Sequence, residues 1–261
     1  MSWIDGTMVG FDTETTGVST DTDRIVTAAV ITRRPGEEPT TRTWLIDPGV
    51  EIPARATEVH GITTAQARAE GSRPEDALEE IASALAEAMV AGIPVVGFNV
   101  QYDLSILEAE LARHGLRGLA ERTPRGLRPV LDPLVLDRHL DPYRKGARKL
   151  IDMCRIYAVP VVADDLHAAD ADVLATLDLV PALAAAYPAM RHVALDDLHD
   201  QQAEAHRTWA VRFGAWLKSK GRTDDLPRPD WPAAPVPTAL VASRESDPVE
   251  SPADTADATL F

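Results

Sequence analysis

Gly10-Phe11-Asp12-Thr13-Glu14-Thr15-Thr16-Gly17 closes an apolar run that begins at Met8, and its reading decides the fold. Side chains alternate across a strand, so Asp12 and Glu14, two residues apart, point to one face. A strand that gives two same-face positions to acids and then breaks at Thr-Thr-Gly is poorly suited to packing. It is well suited to holding a divalent cation.

The surrounding chain sets the frame for that pair. Its 261 residues are 45% hydrophobic and only 5% aromatic, which fits one Ala/Leu/Val-rich α/β domain rather than a disordered or membrane protein. No uninterrupted apolar stretch approaches the ~20 residues of a membrane span. The N-terminus has neither a basic nor an apolar targeting region, and the single cysteine, Cys154, cannot form an intrachain disulfide, so a reducing cytoplasm is the expected compartment.

A formal charge of −15 argues against a polyanionic partner, because phosphate binding is mostly electrostatic. The distribution softens that objection. From Arg113 to Lys149 there are ten Lys/Arg against four acids, a local charge of +6. Alone, such a run reads as a solvated surface, and it points to phosphate only beside a catalytic site.

Strands are predicted over Met8 to Phe11, Arg24 to Thr32 and Thr43 to Ile46, arranged as an antiparallel meander. Leu78, Ile81, Ala82, Leu85 and Met89 recur at helical spacing after Pro74, and the helix stops at Gly92. Ile93 to Gly97 suits a buried parallel strand, and Asp103 to His114 a helix. Later elements are a short strand at Pro129 to Leu131 and a helix near Lys149 to Tyr157. A long helical region from about Leu166 to Tyr187 follows, with Pro181 inside, and then a helix near Asp197 to Lys220. The order implies an α/β fold with a mixed five-stranded sheet flanked by helices. Trp209, Phe213 and Trp216 share one helical face, which reads as core packing rather than as a base-stacking platform. Past Asp224 prolines alternate with Ala, Ser and acids. This divides the chain into a domain over 1–223 and a disordered tail over 224–261.

Two further acids stand where apolar elements end. Asp103 falls in the first turn of a helix directly after a buried strand, where a carboxylate is often only a dipole partner or cap. Asp172 lies inside a helix, is followed by Val173, Leu174 and Ala175, and is not explained by capping. Four carboxylates near one point repel by about 4 kcal/mol per adjacent pair at ~4 Å and an effective dielectric of ~20. Two Mg²⁺ or Mn²⁺ ions would remove that cost, and such a pair serves phosphodiester hydrolysis.

Phe-Asp-Thr-Glu-Thr-Thr-Gly (11–17), Asn-Val-Gln-Tyr-Asp (99–103) and His-Ala-Ala-Asp-Ala-Asp (167–172) resemble the three motifs of the DEDDh 3′→5′ exonuclease family. That family includes DnaQ-type proofreading subunits, RNase T-type exonucleases and oligoribonuclease. The match runs from roughly Met8 to Thr176, and Glu58-Val59-His60-Gly61-Ile62-Thr63 also looks like the family's. The resemblance implies an RNase H-like exonuclease fold, with Asp12, Glu14, Asp103 and Asp172 as ligands of two ions and Asp12 bridging them. It makes His167 the general base, a role for which a pKa of ~6.5 is suited. Five helical residues turn through about 500°, so His167 and Asp172 do not share a face. Asp170, two residues from Asp172, should point away. Thr15, Asn99 and His60 resemble substrate contacts.

The implied activity is release of nucleoside 5′-monophosphates from single-stranded or frayed DNA 3′ ends, of proofreading or repair type. An RNA-trimming enzyme of the same fold is the alternative, since no residue in the sequence excludes a ribose 2′-hydroxyl. A catalytically silent replication adaptor would be expected to have lost at least one of the five site residues, and all are present. The terminal Leu260-Phe261 is similar to part of the peptides that dock on the DNA sliding clamp, which makes the clamp or a DNA polymerase candidate partners of the tail. No membrane partner is expected.

Overall fold

The computed structural model describes residues 2–161, 169–224 and 226–240. A 3₁₀ turn (Trp3–Asp5) leads into β1 (Met8–Thr15), β2 (Ile25–Arg33) and β3 (Thr40–Leu45). Three helices follow, α1 (Ala54–His60), α2 (Thr64–Glu70) and α3 (Pro74–Val90). The chain then runs through β4 (Val95–Val96), α4 (Val100–Arg113), α5 (Leu119–Arg122), β5 (Val130–Leu131), α6 (Pro133–Leu140) and α7 (Leu150–Ile156). The last helices are α8 (Ala169–Ala186) and, after a second 3₁₀ turn, α9 (Leu195–Ser219).

The five strands form one sheet in the order β3-β2-β1-β4-β5. β1, β2 and β3 are an antiparallel meander, whereas β4 runs parallel to β1 and β5 parallel to β4. Parallel β1, β4 and β5 bring their C-terminal ends to one edge of the sheet, where helices entered from those strands begin. α4 starts after β4 and α6 after β5, and the two starts share the Asp132 carboxylate. The register of β1 against β2 shifts between Glu14 and Thr15, so the regular strand ends just after the second acid.

Alternation along β1 sorts its side chains between two cores. Val9 and Phe11 pack with Ala28, Val30, Leu78, Ile81, Leu104 and Leu107 on the α3/α4 face. Met8 joins Ala29, Ile31, Val96, Val173, Leu177 and Val180 on the α8 face. Continuing the same period of two, Gly10, Asp12 and Glu14 belong to the α8 face, and Thr13 to the α4 face. α8 is apolar almost all round because it is buried twice: against the sheet, and through Ala175 and Leu179 against Met153 and Cys154 of α7.

Gly10 sets how closely α8 approaches the sheet. A methyl group at this position would collide with Val173 Cγ1 and lie only 3.0 Å from Leu177 Cγ. The bare backbone lets the first turns of α8, and with them Asp172, settle against β1.

Three features differ from what the sequence suggests. α1, α2, α5 and α6 are short helices that the sequence reading does not include. The expected disorder from Asp224 onward does not extend over 226–236: Trp231 is 9% exposed and its ring lies 4.9 Å from that of His199. Ala234 N–H donates to Ser105 Oγ at 2.8 Å, and Arg228 pairs with Asp21 at 2.8 Å. Composition signals solvation for this strap, yet these tertiary partners bury it. The stripe on α9 is the third difference, since Phe213 and Trp216 are 38% and 51% exposed rather than in the core. Periodicity shows that residues share a face; whether a neighbour covers that face is a tertiary matter.

Much of the basic run is engaged in ion pairs. Arg122 pairs with Glu79, Arg125 with Asp196, Arg128 with Asp200, and both Arg144 and Arg148 with the buried Asp137. Among the described residues no helix is long and apolar enough to cross a membrane.

Replacing Gly10 with Ala should force α8 away from β1 and cost about 1–3 kcal/mol of stability through overpacking. Urea unfolding checks this, and an unchanged midpoint would show that the helix–sheet spacing has slack.

Candidate active site

Asp12 and Glu14 leave the α8 face of β1, and Asp172 meets them from the first turn of α8. One carboxylate oxygen from each of the three lies within 4.8 Å of the others. All three side chains are half-buried. The strand period delivers the first two acids and the Gly10 contact delivers the third.

Asp103 reaches the same strand from the opposite side and stands outside that trio. It is buried in the first turn of α4, where its Oδ1 accepts the Thr13 N–H at 3.1 Å and the Thr13 hydroxyl at 2.7 Å. It nonetheless lies close enough to Asp12 for their charges to interact. Asp170 is exposed and caps its own neighbour's N–H, apart from the trio. His167 lies outside the described residues.

The protonation of these groups records their crowding. Burial, followed by repulsion from Asp103, Glu14 and Asp172, holds the Asp12 carboxyl well above the usual carboxylate range. Burial and then the charge of Asp172 push Glu14 up to about 7. Asp103 is also raised by burial, with the Thr13 hydrogen bonds offsetting part of the effect. An oxygen-only donor set that resists ionisation in the absence of a counter-charge fits a hard divalent cation.

The remaining sequence candidates are Thr15, His60 and Asn99. Thr15 Oγ1 donates to the Gly17 carbonyl at 2.6 Å and lies 2.8 Å from the Tyr102 hydroxyl, which also donates to Gly17 O. His60 ends α1; its Nδ1 accepts the Ile62 N–H at 3.1 Å, and its Nε2 faces the Thr15 backbone without closing a hydrogen bond. Burial lowers the pKa of this imidazole. Asn99 is exposed and sits at the start of α4 in the left-handed region, at φ 60°. Asn tolerates that conformation better than most residues.

Sequence reasoning missed the residue that holds Asn99 there. The buried Asp132 carboxylate accepts the N–H groups of Asn99 and Val100 at 3.1 Å each, and that of Leu134 at 2.9 Å. One side chain thus caps both α4 and α6, and Gln202 of α9 in turn accepts the Asp132 N–H at 2.8 Å. An acid directly before Pro133 is a helix-start signal that could have revealed the α6 cap. Its bond to α4, 32 residues away, leaves no trace in local sequence.

A mixed sheet in this order, with acids at the end of its first strand and in the first turns of two flanking helices, defines an RNase H-like nuclease fold. Residues 9–180 match the model of the RNase T exonuclease family, and the chain belongs to that family. A DNA polymerase III of PolC type from Lacticaseibacillus paracasei is 31% identical over 175 residues, which is 67% of this chain and 11% of that protein. The chain is also similar to Escherichia coli exonuclease I in complex with a dA16 oligonucleotide, with a TM-score of 0.59 and 21% identity over 77% of this chain and 44% of the other. Exonuclease I from Methylocaldum szegediense gives 0.57 and 23%, covering 80% and 46%. At these identities the structural likeness speaks for the fold alone, and the chain spans only part of each of these relatives.

The raised acids give metal-free stability a definite sign with pH. Between about pH 4.5 and 7 the unfolded chain releases the Glu14 proton that the folded site retains, so stability falls as pH rises through that window. In chelator, the thermal midpoint should drop from pH 5 to pH 8, and Glu14→Gln should flatten the drop. A slope that Glu14→Gln leaves unaltered would remove Glu14 as its source.

Proposed function

We propose that this exonuclease removes nucleoside 5′-monophosphates from the 3′ ends of single-stranded or frayed DNA, in a proofreading or repair setting. The observation that carries this reading is the convergence of Asp12, Glu14 and Asp172 within 4.8 Å, with Asp103 beside Asp12. The polymerase and oligonucleotide-bound exonuclease relatives favour DNA over RNA as the substrate.

Asp12, Glu14, Asp103 and Asp172 would hold two divalent ions, Mg²⁺ or Mn²⁺. When bound, these supply charge stabilisation to the attacking and leaving oxygens of the phosphoryl transfer. His167, five residues before Asp172, takes a proton from the attacking water on its imidazole. A bond forms from the water oxygen to phosphorus, the P–O3′ bond breaks, and the departing 3′ oxygen gains a proton. Thr13 keeps the Asp103 carboxylate aimed at β1 through its paired hydrogen bonds. Thr15, Asn99 and His60 bind the terminal nucleotide. The tail end, Leu260-Phe261, docks the enzyme on a sliding clamp or polymerase, and its Pro-rich tether raises the effective concentration at DNA.

Single-stranded DNA, mismatched duplex DNA and short RNA, each offered with Mg²⁺ and with Mn²⁺, test the reading together. DNA ends should be hydrolysed preferentially, and Asp12→Ala should lower the rate about a thousandfold or more while circular dichroism shows an intact fold. His167→Ala should blunt the rise of rate between about pH 6 and 8. Full activity in Asp12→Ala would overturn the proposal, and preferential RNA trimming would reassign the substrate.

A further inference from the structure

Three rings of α9, of which Phe213 and Trp216 are exposed, form an ordered stack. Trp209 and Phe213 have centroids 5.4 Å apart and planes 18° from parallel, and Phe213 and Trp216 are 5.5 Å apart at 14°. The Arg138 guanidinium covers one end of this ladder, 3.8 Å from the Trp209 centroid. Beside it runs a groove of about 700 Å³ whose lining includes Arg138, Arg148 and Arg212 against a single carboxylate, Glu204. Arg148 shares Asp137 with Arg144, on which Asp141 also acts. In a chain of net charge −15 this lining is a local reversal of sign.

The ladder follows a point where α9 and the start of α4 meet. His206 Nε2 lies 2.9 Å from the Arg228 carbonyl, and Gln101 Nε2 donates to the same oxygen at 3.1 Å. Gln101 is in the first turn of α4, two residues before Asp103. The middle of α9 and the start of α4 therefore meet over one carbonyl group, and the ring ladder begins three residues further along α9. From Trp209 to Trp216 the helix rises ~10 Å, about the height of three stacked bases at 3.4 Å.

We propose that this face is a binding platform for single-stranded nucleic acid, taking the nucleotides upstream of the 3′ end whose terminal phosphodiester lies at the acids. The inference rests on the exonuclease reading for its substrate and goes beyond it by assigning a second binding surface. Bases pack without regard to sequence against the surfaces that Phe213 and Trp216 leave exposed, and flanking arginines track the backbone phosphates. A polyanion is the occupant that the groove's charge favours, in a chain that otherwise repels one. The platform would hold the strand while the acids, short of their ions, repel it.

Phosphate-backbone binding and hydrolysis can be measured apart. In chelator, fluorescence anisotropy of labelled dT20 and quenching of tryptophan emission report the platform; with Mn²⁺, the p-nitrophenyl ester of thymidine 5′-monophosphate, which has no upstream nucleotide, reports the acids. Phe213→Ala/Trp216→Ala alters two exposed rings, and a retained thermal midpoint shows that it is folded. Its Kd for dT20 should rise about tenfold or more, with loss of quenching, and its ester hydrolysis should equal the parent's. Arg212→Glu should weaken dT20 binding and flatten its salt dependence. Unchanged dT20 affinity in both variants would overturn the platform, as would displacement of dT20 from neither variant nor parent alongside tight binding of a peptide of residues 241–261 to the rings. A parent that binds dT20 through these rings but leaves the ester uncut would overturn the exonuclease chemistry and keep the platform.

Discussion

Carboxylates that repel one another are held at one point by everything around them. Asp12, Glu14 and Asp172 converge within 4.8 Å, with Asp103 near enough to act on Asp12, and each adjacent pair costs about 4 kcal/mol at ~4 Å and an effective dielectric of ~20. A fold gains nothing from such an arrangement by itself. Glu14 responds by retaining its proton up to about 7, and Asp12 by holding its own well above the usual range. The arrangement becomes favourable when a divalent cation replaces those protons, which is the physical link between this fold and phosphodiester chemistry.

The scaffold supplies the force that keeps the acids together. β1 is clamped between an antiparallel neighbour and a parallel one, and its period of two sends Asp12 and Glu14 to one face. Gly10 admits α8 to contact distance, so Asp172 is brought in by helix–sheet packing that extends through Val173, Leu177 and Val180. Thr13, on the other face, fastens Asp103 with two hydrogen bonds. Asp132 fixes the start of α4 and the start of α6 at once, and α9 braces Asp132 through Gln202. The four acids are thus carried by three elements, β1, α4 and α8.

The parts of this design that were legible in the sequence are those with a local cause. Alternation in β1, the period of α3 and an acid stranded among the apolar residues of α8 can each be read within a few residues. What escaped depends on distant partners. The Asp132 bond to α4 and the fit of Gly10 against Val173 are properties of packing. Trp231 sits in a proline-rich segment whose composition indicates solvation, and its burial against His199 comes from a strap laid across α4 and α9. The α9 rings escaped for the converse reason: a shared face was evident, but among the described residues Phe213 and Trp216 remain exposed. The basic run was legible as charge and not as pairing, since Asp137, Asp196 and Glu79 take up much of it.

Cation binding tests the central claim most directly, because it depends on neither substrate nor rate. Paramagnetic resonance of free Mn²⁺ at pH 7.5, recorded as protein is added, reports uptake by the acids. The parent chain should withdraw Mn²⁺ from solution, and folded Asp12→Asn and Glu14→Gln variants should each bind it at least tenfold more weakly. Equal uptake by the parent and both variants, or none by the parent, would contradict a cation site at the end of β1.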